Sequence, residues 1–135
     1  MTQVAGHDAA GSIHRIDLLP LLKAASPSFS TDETTALPYL LLSEFADHLL
    51  ALYEQNPKND FPAVIAPIER LHIEGDAYVA EAATIGLLEN IQNIWMHHRI
   101  DPETFGRLLL PVSRQWWDSL DAFWDGKIPL VGADP

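Results

Sequence analysis

The sequence predicts an all-α domain of five or six helices, packed as antiparallel pairs around a central helix at about residues 76–98. The segment from Asp76 to His98 is long and free of proline, and its apolar residues recur at helical spacing. Other apolar segments show the same spacing and are bordered by proline or glycine. No segment alternates apolar and polar residues as a half-buried strand would. The arrangement would resemble a short helical-repeat bundle.

The central helix is predicted to begin directly after the preceding helix ends. Gly75 is typical of the residue that follows a helix, and Asp76 is a good N-cap for the next one. A broad apolar stripe then predicts that most of the domain packs around this helix. The stripe consists of Ala83, Thr84, Leu87, Leu88, Ile91, Ile94 and Trp95.

Local signals place the remaining helices within one domain that spans residues 1–135. An N-cap at Asp17 starts the first helix, and Phe29 is expected to anchor the loop that follows it. Asp60 is predicted to cap the third helix, with Pro62 in its first turn. The predicted helices other than the central one run from about 17 to 25, 35 to 56, 61 to 74, 102 to 110 and 111 to 125. Residues 1–12 and 127–135 are expected to be flexible.

Composition narrows the range of possible functions. A hydrophobic content of 47% allows a core that needs no disulfide, and the chain has no cysteine. The N-terminus has no signal-peptide pattern, so a cytoplasmic location is expected. The net charge of −11 argues against nucleic acid and anionic membranes as partners, because both require a basic surface. This charge is compatible with a basic protein partner. A role in solubility alone would explain it equally well.

One helix face concentrates the acidic residues. Glu44, Asp47, Ala51 and Glu54 follow each other at spacings of three, four and three, which predicts an acidic ridge on the second helix. An ordinary solvated face explains the same pattern. As a binding surface, the ridge would attract a cationic partner. Glu81 and Glu89 on the central helix are the second choices for such contacts.

Catalytic and metal-binding patterns are weak, and we expect neither a metal nor a cofactor. His97 and His98 are adjacent on a helix and diverge by about 100°, so they cannot bind one metal together. His72 and Glu74 diverge as well. Ser113 and the other serines lack the context of a nucleophile elbow, and no glycine-rich phosphate loop is present. Paired carboxylates such as Glu81 and Glu89 are the remaining route to enzyme chemistry.

The tryptophans of the last helix are predicted to divide between core and surface. Spacing places one group of apolar side chains on the buried side. This group consists of Trp116, Leu120, Phe123 and Trp124. Trp117 points partly away from that side, so it is predicted to reach a surface and to contribute to partner binding.

The C-terminal half resembles a bacterial family of small all-helical proteins that are encoded beside polymorphic or contact-dependent toxins and are regarded as their immunity proteins. The segments EGDAYVAEAATIGLLENIQN and PVSRQWWDSLDAFWDGK carry the resemblance. The matching positions are Gly75-Asp76, Leu88-Glu89-Asn90, Gln92-Asn93, Pro111, Ser113-Arg114, Trp116-Trp117-Asp118, Leu120, Phe123-Trp124 and Gly126. The first fifty residues match only in pattern.

The resemblance implies a cytoplasmic protein that binds and occludes a toxin domain made by the same cell, and it implies no catalytic residue. A toxin that acts on nucleic acid or a nucleotide presents a cationic cleft, which an acidic inhibitor would meet with fast, steered association. Two other classes remain open from the residues. One is a small enzyme that uses buried carboxylates, and the other is an adaptor without any link to toxins.

Overall fold

Six helices form the fold within the residues that the structure, a computed structural model, describes, namely 11–31 and 37–124. They are α1 (Leu18–Ala25), α2 (Pro38–Gln55), α3 (Pro62–Glu74), α4 (residues 77–97), α5 (Glu103–Gly106) and α6 (Pro111–Trp124). The all-α prediction is confirmed. The predicted start of α2 near Thr35, the end of the last helix beyond Trp124, the closing Gly126 and most of the predicted flexible ends lie outside the described residues.

The central helix α4 lies where the sequence predicts it. The Asp76 side chain accepts a hydrogen bond from Val79 N at 2.8 Å and caps the first turn. Midway, Ala83–Leu88 widens into a π-helical segment, in which Glu89 N donates to Thr84 O instead of to the carbonyl four residues back. The predicted apolar stripe is buried, with Ile94 partly covered. Helix α4 is therefore continuous from cap to end, but it is not a uniform α-helix.

Helix α2 makes the most extensive contact with α4, and the two helices run in the same direction. Tyr39 near the start of α2 donates a hydrogen bond to Glu81 near the start of α4. At the opposite end, Glu54 approaches His98. Helix α2 packs directly against Gly86, where an added methyl group would lie 3.4 Å from α2 atoms, in ordinary van der Waals contact. The most extensive contact of α4 is thus with a helix that runs parallel to it.

Two predicted helix-end signals work differently from expectation. Helix α3 begins at Pro62 with Phe61, not Asp60, in the N-cap position, where Phe61 has a φ of +52°. Asn59 supports this turn by accepting the Phe61 N–H at 2.8 Å. Gly75 has a φ of −67°, so it does not end α3 in the left-handed conformation. A glycine is needed there because any Cβ would overlap the Leu71 carbonyl oxygen.

The segment before α1 closes one end of the bundle. Ile13 N donates to Glu74 O at 2.9 Å, and Asp76 N donates to Ile13 O at 2.8 Å. This single β-type bridge ties the N-terminal segment to the link between α3 and α4. Helix α1 follows a 3-10 turn at Arg15–Asp17 and begins at Leu18, next to Asp17 as predicted, but the Asp17 side chain accepts from His14 N at 2.9 Å and does not cap α1.

Aromatic rings fill the two ends of the core. Phe29 is buried and meets Phe45 edge to face at 5.0 Å, which confirms that Phe29 anchors its loop. At the other end, Trp95 contacts Tyr53, Phe61 and Phe105. No helix among the described residues is long and apolar enough to cross a membrane.

Candidate functional site

A carboxylate from α3 caps the first turn of α6. Glu69 Oε1 accepts hydrogen bonds from Ser113 N at 2.8 Å and Ser113 Oγ at 2.7 Å, and Glu69 Oε2 accepts one from Val112 N at 3.0 Å. These amides belong to the helix start, where no intrahelical acceptor exists. Burial alone would raise the pKa of the Glu69 carboxyl, but the three hydrogen bonds outweigh it and hold the pKa below its usual value.

His72 extends this contact from α6 to the central helix. Its Nδ1 lies 3.0 Å from Ser113 Oγ and 3.1 Å from Ile68 O, and its Nε2 lies 3.1 Å from Thr84 Oγ1. Burial lowers the pKa of His72 from 6.5 to about 4, although the Ile68 carbonyl and the Glu69 charge oppose the shift. The imidazole is therefore neutral near pH 7, and it joins α3, α4 and α6 through one ring.

A cavity of about 210 Å³ opens beside this ring. It lies between the end of α3, the first half of α4 and the start of α6. Ala77 and Ala80 leave the space open because they contribute only methyl groups to the wall. The lining residues are His72, Ala77, Ala80, Glu81, Thr84, Ile85 and Trp116. Apolar side chains thus surround a few polar groups, which is the usual composition of a small-ligand site.

Sequence reasoning assigned no role to this cluster. The sequence pattern relates His72 only to Glu74, and Ser113 is notable only as a serine without a nucleophile elbow and as a matching position of the family resemblance. In the structure Ser113 is fully buried, and its hydroxyl is held between Glu69 and His72. Glu69 is 44 residues and His72 is 41 residues away from Ser113 in sequence. No local spacing pattern could have indicated the contact.

The predicted acidic ridge lies on an exposed face of α2, with unequal exposure along it. Asp47 is exposed and has no hydrogen-bond or ion-pair partner in the described part of the chain. Glu44 is half-buried and accepts a hydrogen bond from Thr31. Glu54 is about half exposed, and its Oε2 lies 3.1 Å from His98 Nδ1. Asp47 is therefore the ridge carboxylate most open to a partner.

The two carboxylates of α4 that were second choices for partner binding have different surroundings. Glu81 is exposed, and its Oε1 accepts the Tyr39 hydroxyl at 3.1 Å. Burial and then this carboxylate raise the pKa of Tyr39 to about 12. Glu89 is half-buried, and burial raises its pKa. Of the two, Glu81 belongs to the cavity rim.

The prediction that Trp117 reaches a surface is wrong. Trp117 is 1% exposed, and its indole N–H donates to Glu103 Oε1 at 3.2 Å. The buried stripe of α6 is Ser113, Trp117 and Leu120, whereas Trp116 is half-buried and lines the cavity. The predicted stripe with Trp116 and the observed stripe with Trp117 both have helical spacing. The orientation of α6 in which its donors reach the Glu69 and Glu103 carboxylates buries the stripe that contains Trp117.

The adjacent histidines at the end of α4 have separate contacts. His97 Nδ1 lies 2.8 Å from Asn93 O, and His98 faces Glu54. No group of three potential metal ligands occurs within residues 11–31 and 37–124.

Comparison with known proteins identifies a family for this chain. The profile of a family described as a domain of unknown function, DUF7674, matches residues 19–125. Apart from the first residue of α1, the match spans every helix from α1 to α6, and it includes both the acidic ridge and the cavity. No curated protein and no solved structure matches the chain.

Proposed function

The chain belongs to the DUF7674 family, and we propose that it is a cytoplasmic immunity protein that binds a cognate toxin domain and neutralises it by covering a basic surface. The resemblance of the C-terminal half to immunity proteins and the net charge of −11 support this proposal. The toxin would be made by the same cell. Its basic cleft would be occluded by the outer face of α2.

The observation that carries the proposal is the composition of this face. Leu37 and Leu40 are 51% and 44% exposed at the start of α2, and Glu44, Asp47 and Glu54 continue the same stripe. The exposed leucines can lose their water and pack against a partner, and the neighbouring carboxylates attract a partner that carries positive charge. We define the stripe of Leu37, Leu40, Glu44, Asp47, Ala51 and Glu54 as the α2 face.

The fold does not require the charges at the exposed end of this face. Asp47 has no partner among the described residues, and the contact between Glu54 and His98 is half exposed on both sides. Exposed ion pairs contribute about 0–1 kcal/mol to stability. The carboxylates can therefore be changed to test binding without unfolding the protein.

The first experiment tests the function itself. The polypeptide encoded directly beside the gene would be expressed in cells with and without this protein, and cell survival would be measured. We expect toxicity that this protein relieves. Binding without toxicity would indicate an adaptor instead, and toxicity that this protein leaves unchanged would overturn the proposal.

The second experiment tests the α2 face. The double variant Asp47→Lys and Glu54→Lys should slow association with the toxin and flatten its salt dependence. Charge steering is a rate effect that is screened over about 10 Å at about 0.1 M ionic strength. The association rate would be measured across a salt series, together with protection of cells. If the double variant associates and protects like wild type, the α2 face is excluded as the toxin-binding surface.

A matched pair of single variants controls for net charge. Asp47→Lys and Asp60→Lys change the charge equally, and both aspartates are exposed and unpaired within the described residues. Asp60 lies in the loop between α2 and α3, outside the α2 face. We expect the larger loss of association rate for Asp47→Lys. Equal losses would show that only overall charge matters.

A further inference from the structure

The cavity beside His72 is too small for a large ligand. Its volume of about 210 Å³ lies below the roughly 300–1,000 Å³ that is typical of sites for drug-sized molecules. It can accept one small molecule or one amino-acid side chain. The identity of such an occupant depends on which hydrogen-bonding groups the wall presents.

The hydrogen-bond partners of His72 determine its tautomer. The Ile68 carbonyl can only accept, so the ring nitrogen that faces it, Nδ1, carries the hydrogen. Ser113 is consistent with this assignment, because its hydroxyl hydrogen goes to the Glu69 carboxylate and its oxygen is left to accept from Nδ1. In the neutral ring, Nε2 is therefore an acceptor. It is the nitrogen that faces Thr84 beside the cavity.

Thr84 and Glu81 also present acceptors. The Thr84 hydroxyl can donate either to His72 Nε2 at 3.1 Å or to Ala80 O at 3.5 Å. If the hydroxyl donates to His72 Nε2, the Thr84 oxygen can still accept a hydrogen bond from a ligand. If it donates to Ala80 O, both the Thr84 oxygen and His72 Nε2 can accept from a ligand. At the rim, the Tyr39 hydroxyl occupies Glu81 Oε1, and Oε2 has no hydrogen-bond partner among the described residues.

We propose that this cavity binds a primary ammonium or guanidinium group carried on a short apolar stem. Its polar groups, the Trp116 indole N–H aside, offer acceptors, and no lysine or arginine of the described ranges 11–31 and 37–124 lines it. A ligand that donates hydrogen bonds and carries positive charge satisfies these acceptors and the Glu81 carboxylate. Ile85 and the alanine methyl groups contact the stem, and the Trp116 ring provides a cation–π surface.

Two sources could supply this chemistry. One is a free small amine, and the other is a lysine or arginine side chain of the bound toxin. The second source rests on the proposed function, whereas the first does not. Both require the same acceptors in the cavity, so the binding test comes first and the source is decided afterwards.

The binding test uses simple probes on the full chain. n-Butylammonium and n-butylguanidinium would be titrated against the protein, with chemical shifts of the Ala77, Ala80 and Thr84 amides as the readout. Butanol and butyrate are the matched neutral and anionic controls. We expect saturable binding of both cations at one per chain. Equal binding of butanol, binding of butyrate, or no saturation by the cations would overturn the proposal.

Three variants test the cavity wall. Glu81→Gln and Thr84→Val each remove an interaction with the cation and should weaken binding about tenfold. Ala77→Leu should abolish binding because the larger side chain fills the space. Ala77 and Glu81 are exposed, so their variants are expected to fold even if Thr84→Val is destabilised. Glu89→Gln removes the same charge from α4 outside the cavity and should leave binding unchanged. If Glu81→Gln and Ala77→Leu bind the two cations like wild type, the cavity is excluded as the cation-binding site.

A competition experiment decides the source. If n-butylguanidinium displaces the toxin, and Ala77→Leu weakens toxin binding, the occupant is a basic side chain of the toxin. If n-butylguanidinium binds without displacing the toxin, the occupant is a free amine. The α2-face double variant should bind n-butylguanidinium normally, so failure of the proposed function and failure of this site can be distinguished.

Discussion

Glu69 and Ser113 join α3 to α6 through two hydrogen bonds to one carboxylate oxygen, 2.8 Å from the Ser113 amide and 2.7 Å from its hydroxyl. The carboxylate supplies from another helix the acceptor that a residue preceding α6 would normally provide. Because Ser113 also contacts His72, this pair forms one side of the wall behind the cavity. The fold and the candidate site thus depend on the same contact.

Loss of the Glu69 charge should destabilise the protein. Glu69→Gln keeps the shape of the side chain but has one carbonyl oxygen for three donors, so we expect a loss of about 1–3 kcal/mol in the free energy of unfolding. Urea denaturation at neutral pH measures this. Glu74→Gln on the same helix removes only a surface contact with Arg70 and should cost less than about 1 kcal/mol. Equal effects of the two variants would contradict the capping role of Glu69.

His72 should make stability depend on pH. Its pKa is about 4 in the folded protein and 6.5 ordinarily, so the unfolded chain binds more protons between these values. The stabilisation is complete above the unfolded pKa and is lost as the pH falls from about 6.5 towards 4. From about pH 7.5 to about pH 5 we expect His72 to account for a loss of about 2 kcal/mol. Urea denaturation at the two pH values gives this difference.

Replacement of the titrating ring provides the control for this prediction. His72→Gln should remove most of the pH dependence attributed to His72. Glu69, whose pKa is lowered, stays ionised at about pH 5 and does not mask the effect. His48 also has a pKa lowered by burial, so His48→Gln should remove a separate part of the slope. An unchanged slope in His72→Gln would contradict the assignment.

Two glycines should respond oppositely to alanine. At Gly106 an added methyl group would overlap the Trp117 ring, so Gly106→Ala should cost about 1–3 kcal/mol through overpacking. At Gly86 the nearest atoms would be 3.4 Å away, and Gly86→Ala should be neutral or stabilising by up to about 1 kcal/mol. Thermal melts of both variants test the contrast. Equal melting temperatures would show that Trp117 moves aside freely.

The loss of stability caused by shortening a side chain of α4 should depend on which side of the helix carries that side chain. Leu87 is fully buried, and Leu87→Ala should cost about 2–5 kcal/mol because it leaves a cavity between helices. Ile85 is only partly covered, so Ile85→Ala should cost less. Chemical denaturation of the pair provides the comparison. A larger loss for Ile85→Ala would contradict the observed orientation of α4.

Helix positions could be predicted from the sequence because their signals are local. Asp76 caps α4 through a contact three residues away, and Pro62 and Pro111 begin helices because their missing N–H groups are not needed there. The π-helical segment at Ala83–Leu88 was not predicted. Its residues fit an ordinary α-helix, and the wider turn becomes visible only in the backbone hydrogen bonds.

The candidate site was predicted only in part. The acidic ridge of Glu44, Asp47, Ala51 and Glu54 followed from spacing within one helix, and the structure places it on one side of α2 with Asp47 and Glu54 exposed. Periodicity could not decide between Trp116 and Trp117, since adjacent residues each belong to a stripe of helical spacing. The acceptor carboxylates Glu69 on α3 and Glu103 on α5, which bind donors of α6, selected Trp117 for the core.

By itself, the sequence determined an acidic all-helical domain, its helix boundaries to within a few residues, and the acidic stripe of α2. These properties depend on contacts within one helix, where neighbours are three or four residues apart. Only the tertiary structure decided the parallel packing of α2 on α4, the burial of Trp117 and the cavity beside His72. The contacts of His72 with Thr84 and Ser113 span 12 and 41 residues. They arise from the rotation and offset of packed helices, which the pattern within any single helix leaves undetermined.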